Sequence, residues 1–373
     1  MKKILFIFTL AFITNSANAN SLLIKNVDVY KSNGMEPNTN VLIKNGEIVA
    51  IGKRIYETAD RDIDGTGKSL TPGLFNSHTH IGAVEVSAIG PTVDYYSDND
   101  SVTAALKIAE AFNPNSTLIP HNRTHGLSHA LMIPESSTHL FSGQVALVQL
   151  GLNPRVIHDS LAMAADFTEH GFHLSGNSRA AALVELRQAL DDAKDFSRNK
   201  KAALAGDHRN YELSYADLAA LESVVNGSKP LLVHTNRASD IRNILKLAKE
   251  FQLNLILSSV MEGWMVADEI AAAGVPVIID PINNLPSSYE TLGARLDNAK
   301  LLSDAGVKLL FTNTSRSTSH NAYLVRQAAG NAVANGLDKI VAIAAMTSNP
   351  AQLFDAPVSG DIAVGEIADL VLW

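Results

Sequence analysis

Between residues 74 and 312 the sequence repeats one unit, a short apolar run followed by a stretch with helical periodicity. The runs lie at Phe75–His80, Leu127–Ile133, Gln144–Leu150, Leu161–Phe167, Pro230–His234, Asn254–Ser258, Val275–Asp280 and Lys308–Thr312. Each has the length of a strand and is bounded by turn residues. Among the intervening stretches, Ala180–Asp195 carries Leu183, Leu186 and Leu190 at helical spacing. Asp240–Phe251 follows a Ser239 cap, and Tyr323–Asn335 is stopped by Gly336. Such alternation predicts an α/β fold with a parallel sheet, and eight runs favour a closed (β/α)8 TIM-type barrel over an open sheet.

Residues 20–70 differ. Leu22–Ile24 and Val27–Val29 alternate, and Asn45-Gly46 separates Val41–Ile43 from Ile48–Ile51. Asn-Gly between apolar runs is the strongest short hairpin signal, so this part is expected to be a small β-domain preceding a barrel over 71–354. Residues 168–228, with a helical Leu218–Val225, form a long excursion expected to cover part of the barrel mouth. At the N-terminus, Lys2 and Lys3, the apolar run Ile4–Ile13 and Ala17-Asn-Ala19 have the pattern of a signal peptide over 1–19, cleaved after Ala19. The expected location is periplasmic or secreted, with no membrane attachment after cleavage, since no later run approaches spanning length.

The formal net charge of −8 becomes −10 once Lys2 and Lys3 leave with that segment. An acidic surface argues against nucleic acid as a partner and leaves a small-molecule substrate as the expected one. Assembly into a homo-oligomer stays open. There is no cysteine, which removes thiolate catalysis and cysteine-ligated metal and leaves histidine and carboxylate chemistry.

That chemistry concentrates at Thr71-Pro-Gly-Leu-Phe-Asn-Ser-His-Thr-His80. In an extended strand, His78 and His80 project to one face, as two imidazoles sharing a metal must, although two exposed strand histidines have the same spacing. The segment resembles the signature of the amidohydrolase superfamily. Gly274-Val-Pro-Val277, His320-Asn-Ala322 and Gln327–Gly336 resemble its imidazolonepropionase-like branch. The resemblance covers the mature chain in order. It implies a barrel whose first strand supplies two metal ligands, and a β-sandwich to which residues 355–373 return. Because the family continues beyond Ala-Asp-Leu-Val, that second part is expected to be incomplete and the chain truncated.

The family's ligand set adds a carboxylated Lys or a Glu on strand four, a His on strands five and six, and an Asp on strand eight. Here His234 closes strand five. Strand four offers only Asp166, strand six ends in Ser258-Ser259, and strand eight offers Asn313 or Thr314. The implied site is therefore one divalent metal, Zn²⁺ by preference, on His78, His80 and His234. Its proton acceptor would be sought among Glu262, Asp280 and His320. Glu262 reads equally well as the first turn of a helix, and His320 as a helix cap. His121, His125 and His129 are spaced by four, but Pro120 and Gly126 argue for a loop there. His139, His158, His170, His173 and His208 are assigned to loops, with His170 and His173 able to line the mouth. No Arg or Lys stands at a strand end in a pattern that would identify a carboxylate-bearing ligand, although Arg237 and Arg316 are close enough to test. The function implied is metal-dependent hydrolysis of a non-peptide carbon–nitrogen bond. The alternative is a catalytically silent binding protein on the same scaffold.

Overall fold

The computed structural model describes residues 21–87, 89–283, 285–313 and 319–373. The segment 1–19, Thr314 and Arg316 therefore lie outside the described residues.

The chain opens with a meander of β1 (Ser21–Lys31), β2 (Gly34–Lys44) and β3 (Glu47–Gly52). Asn45 and Gly46 turn the second hairpin with φ of 52° and 80°, the left-handed pair that a two-residue turn needs, and Lys44 pairs with Glu47 across it. β4 (Arg61–Asp64) and β5 (Ser69–Pro72) run parallel to successive halves of β1. The sheet buries Ile24, Val27, Val29, Val41, Ile48, Leu70 and Ile362 on one face.

The second sheet holds eight strands among the described residues. They are β6 (Leu74–Thr79), β7 (Leu127–Met132), β8 (Phe141–Gln149), β9 (Arg155–Asp166), β10 (Leu231–Thr235), β11 (Leu255–Ser259), β12 (Val277–Ile279) and β13 (Leu309–Phe311), paired in chain order. This is the expected barrel with one correction. β8 runs antiparallel to both neighbours, so β7, β8 and β9 form a meander where two helical crossovers were expected. The other pairs are parallel.

Side-chain alternation builds two layers. Phe75, Leu131, Leu147, Ala164, Leu232, Ile256, Ile278 and Leu310 fill the barrel, and Phe354 closes its floor with its ring 6.4 Å from that of Phe75. The residues between them, such as Val233, Leu257, Val277 and Phe311, face the helices.

The last strand, β14 (Leu370–Leu372), returns to pair antiparallel with β5. Just before it, Gly73 N donates to Asp369 O at 2.8 Å and Ser128 Oγ to Asp369 Oδ2 at 2.6 Å, tying this segment to the start of β6 and β7.

No ladder joins β13 to β6 among the described residues. Side chains close the seam instead. The single hydroxyl proton of Thr312 is shared between Asn76 Oδ1 and His78 O, each 2.9 Å from Oγ1, and Asn76 Nδ2 donates to Asn313 Oδ1 at 2.7 Å.

The excursion after β9 departs from expectation. Only its first turns, the helix Glu169–Leu174, stay beside the end of β9. The helix Arg179–Ala205 continues ten residues past the predicted Asp195, bending at Asn199, whose Nδ2 bonds the Asp195 carbonyl. Its buried stripe Leu186, Leu190, Ala193 and Phe196 joins the layer outside the barrel. The helix Tyr215–Val225 is held by Asp217 Oδ1, which accepts from Thr103 N and Ala105 N at 3.0 and 2.8 Å. The excursion thus covers the flank rather than roofing the mouth. Among the described residues no helix is long and apolar enough to cross a membrane.

Candidate functional site

The C-terminal ends of the parallel strands place inward the residues that continue the barrel's inner alternation: Asp166 on β9, His234 on β10, Ser258 on β11, Asp280 beyond β12 and Thr312 beyond β13. Against β7, β6 slips register between Asn76 and Thr79, so three residues advance on β6 for two on its neighbour. This irregularity sits at the histidine pair, where bulges often re-aim side chains. The rings of His78 and His80 lie 5.7 Å apart and those of His78 and His234 5.0 Å apart. The three sequence-predicted histidines are therefore gathered in one place.

Their surroundings keep them neutral. Burial, and then the neighbouring His234, pull His80 down to about 3. Burial, reinforced by His234 and His80, holds His78 well below the usual histidine range, and burial lowers His234 as well. The ring of Tyr95 stacks on His80 at 3.9 Å and 13°. The Nε2 of His80 is buried and without a hydrogen-bond partner among the described residues. Glu135 Oε1 stands 3.5 Å from that nitrogen. His78 Nδ1 is likewise buried and unpartnered.

Neutral imidazoles with enclosed, unengaged nitrogens are the chemistry a divalent ion requires. In this respect the residues present fit a metal. Among the described residues no three His, Asp or Glu side chains converge on a single point, so the fit is one of donor chemistry and enclosure.

The proposed proton acceptors are placed differently. Glu262 is taken up by backbone: Oε2 accepts from Ala238 N at 2.9 Å and Oε1 from Gly293 N at 3.2 Å. It caps the helix Ala238–Phe251 and clips a loop to it. Asp280 is 4% exposed and accepts at Oδ1 from Ile282 N and Asn283 N at 2.9 and 3.3 Å, shaping the turn after β12. His320 stands half-buried ahead of Asn321, the N-cap of a 3-10 turn, and its carbonyl accepts from Asn122 Nδ2 at 3.3 Å. On strand eight, Asn313 Nδ2 donates to Asn321 O at 3.1 Å while Oδ1 accepts from Asn76, so its amide is committed to the seam.

Asp166 is held on both oxygens. Oδ1 accepts from Thr168 N and Thr168 Oγ1 at 2.9 and 2.6 Å, and Oδ2 lies 2.9 Å from His170 Nδ1. Burial pushes this carboxyl up, but the bonds from His170 and Thr168 outweigh it and hold it below the usual range. The bond to Asp166 in turn raises His170 above the ordinary histidine value.

The remaining histidines correct several loop assignments. His121 lies in a short helix, Leu118–Thr124, whose first turn accommodates Pro120 because no N–H is needed there, and His125 caps its end. The His125 ring stacks on Tyr323 at 4.1 Å. His129 is buried low in the barrel on β7, its ring 6.1 Å from that of Phe75 and its Nδ1 3.0 Å from Ser128 Oγ. His158 lies on β9, and His173 shares the helix of His170. His208 Nε2 bonds Asp195 Oδ2 at 2.8 Å on the excursion. Arg237, exposed, precedes the helix at the end of β10.

Three participants were not found in the sequence. Tyr95 and Glu135 sit in loops without periodicity, beyond the reach of spacing arguments. Glu290 is 6% exposed and accepts from Asn236 Nδ2 and Glu169 N, both at 2.8 Å, fastening the loop after β12 to the ends of β9 and β10. Burial raises its carboxyl above the usual range.

Comparison with known proteins adds the following. A model described as "Amidohydrolase family" matches residues 69–373. A 5-methylthioadenosine/S-adenosylhomocysteine deaminase of Thermoanaerobacter pseudethanolicus is 46% identical over 66 residues, 17% of this chain and 15% of that protein. A dihydroorotase of Listeria monocytogenes is 36% identical over 59 residues, 16% of this chain and 14% of that protein. These matches span about one seventh of the relatives' lengths. An amidohydrolase of Thermotoga maritima superposes with a TM-score of 0.81 and 23% identity over 94% of both chains, a likeness of fold. None of these singles out the imidazolonepropionase-like branch.

Proposed function

The chain belongs to the amidohydrolase family, and from that premise we propose that it hydrolyses a carbon–nitrogen bond outside a peptide, in a cyclic amide or an N-acyl amino acid. The observation that carries this reading is the gathering of His78, His80 and His234 at the barrel mouth, neutral and with nitrogens unengaged at His78 and His80. Deaminase and dihydroorotase, the names of the relatives matched, both denote reactions at carbon–nitrogen bonds.

In this reading the three imidazoles would hold one divalent ion, Zn²⁺. When bound, such an ion lowers the pKa of a water and polarises the substrate carbonyl. The protein contributes the rest. The stacked Tyr95 ring fixes the plane of His80. Glu290 fastens the loop after β12 across two strand ends and so fixes one wall of the mouth. Export by the segment 1–19 belongs to the same proposal and is tested by N-terminal sequencing of the mature protein.

One observation favours the second reading, a silent binding protein. Asn313, one of the two residues standing where the resemblance puts a strand-eight aspartate, spends its amide on the seam, and Glu262 is likewise spent on backbone. The deciding experiment is metal content by mass spectrometry after reconstitution, beside a His78→Ala, His80→Ala double variant, followed by a hydrolysis screen of N-acyl amino acids and cyclic amides. About one equivalent in the parent, none in the variant and turnover of a substrate support the hydrolase. Metal without turnover favours the silent protein. A metal-free parent refutes the metallohydrolase.

A further inference from the structure

A water that attacks a carbonyl must lose a proton, and the leaving nitrogen must gain one. The carboxylates proposed from sequence are engaged elsewhere, Glu262 on two backbone amides and Asp280 on the turn after β12. The described strand-eight residue nearest that role, Asn313, is an amide. The end of β9 offers another arrangement. Asp166 is fixed on Oδ1 by both the N–H and the hydroxyl of Thr168, and its Oδ2 faces His170 Nδ1 at 2.9 Å.

An ionised carboxylate only accepts, so Nδ1 of His170 carries the hydrogen and donates it. The lone pair of the neutral ring is then on Nε2. Gly171 makes the pairing possible, because a Cβ there would run into the Asp166 carbonyl and push the helix Glu169–Leu174 away from the strand end. The His170 side chain is 57% exposed, as a group exchanging protons with solvent and substrate must be, whereas that of Asp166 is 14% exposed. The titratable groups around the pair are Glu135 from the β7–β8 hairpin, Glu169 and Glu290 beside Asp166, and the neutral His234 on the adjacent strand.

We propose that His170 is the proton-transfer residue of this site and Asp166 its positioning residue. Nε2 of His170 takes a proton from the attacking water as its oxygen bonds to the substrate carbonyl carbon. The imidazolium then returns that proton to the leaving nitrogen as the carbon–nitrogen bond breaks. Asp166 holds the ring in the Nδ1–H tautomer throughout. The proposal rests on the hydrolase reading and takes the carboxylate of strand four as an orienting group.

Two measurements on the full mature chain test it. In the first, 15N NMR of histidine-labelled parent should show His170 as the Nδ1–H tautomer, and Asp166→Asn should lower its titration midpoint. In the second, the Zn²⁺-loaded His170→Gln variant is assayed on whichever N-acyl amino acid or cyclic amide the parent turns over. The expected loss is about 10²–10⁴-fold in kcat, with KM within a few-fold, metal content unchanged and the acidic limb of the pH profile removed. His170→Gly should recover part of the loss when imidazole is added. An Nε2–H tautomer in the parent, or a His170→Gln variant with parental kcat, overturns the proposal and leaves the hydrolase reading standing. A parent that binds metal but turns over nothing in the panel overturns both.

Discussion

Replacing Asn76 with alanine should unlock the barrel at its seam. The Asn76 side chain is fully buried and makes four hydrogen bonds. Nδ2 donates to Asn313 Oδ1 at 2.7 Å and to Ala322 O at 2.8 Å, while Oδ1 accepts from Thr312 Oγ1 at 2.9 Å and from His78 N at 3.0 Å. Truncation does not cost all four partners equally. Thr312 Oγ1 keeps its bond to His78 O, and Ala322 O keeps the N–H of Val325. Asn313 Oδ1 and His78 N lose the bonds described for them. An unsatisfied buried group costs about 1–3 kcal/mol, so the two together predict a destabilisation of about 2–6 kcal/mol. Asn76→Asp is the informative companion. It keeps an acceptor for Thr312 and His78 but turns a second oxygen toward two carbonyl oxygens, so it should be no milder than alanine. Urea unfolding followed by the fluorescence of Trp264 and Trp373, with reversibility checked, reads both. A shift below about 1 kcal/mol for Asn76→Ala would show that backbone packing alone closes the seam, and the reasoning would be wrong.

Other consequences are open to simpler tests. Phe354→Ala empties the barrel floor beneath Phe75 and should cost about 3–5 kcal/mol in the same urea experiment; a change under about 1 kcal/mol would mean the floor refills. Gly73→Ala sets a Cβ against Ser128 Oγ and the Asp369 carboxylate, so its melting temperature should fall and residues 360–373 should become sensitive to limited proteolysis. Asp195, bonded by His208, Tyr211 and Asn199, is held at about 2, below its ordinary 3.8. The stability it adds is thus complete above about pH 4 and disappears as pH falls through 2. The gap in melting temperature between parent and Asp195→Asn should be flat near neutrality and close over that acidic window; a gap that persists at pH 2 would assign the effect to packing.

What could be read from sequence divides along physical lines. The eight barrel runs and the Asn45-Gly46 hairpin were legible because burial and turn geometry write themselves into local patterns. That His78 and His80 share a face followed from their spacing, and His234 from its place at the end of an apolar run, whereas the register slip of β6 that turns the pair to the mouth did not follow. The direction of β8 did not follow, because a strand buried on both faces looks the same in either sense. One further signal lies in the lengths of the connections. The gaps 134–143 and 151–160 between the predicted runs are ten residues each, shorter than the dozen or so residues a parallel crossover needs. Tyr95, Glu135 and Glu290 reach the site through tertiary placement of irregular loops, which no periodicity encodes. Glu262 and Asn313 are side chains whose identity is visible in sequence but whose hydrogen-bond partners are not.

The reversed third strand also bears on how the chain reaches its native state. β7, β8 and β9 pair through short turns within residues 127–166, so their contacts are local and carry little loop-closure entropy. The seam brings Asn76 to Asn313 across 237 residues, and it can form only when every strand between them is in place. A meander that organises early and a seam that engages last give the folding reaction a direction along the sheet. In pulse-labelled hydrogen exchange, the amides of β8 and β9 should be protected before those of β6 and β13. Under native conditions the order should reverse, with the strands flanking the seam opening first and exposing the histidine-bearing strand to solvent before the meander yields.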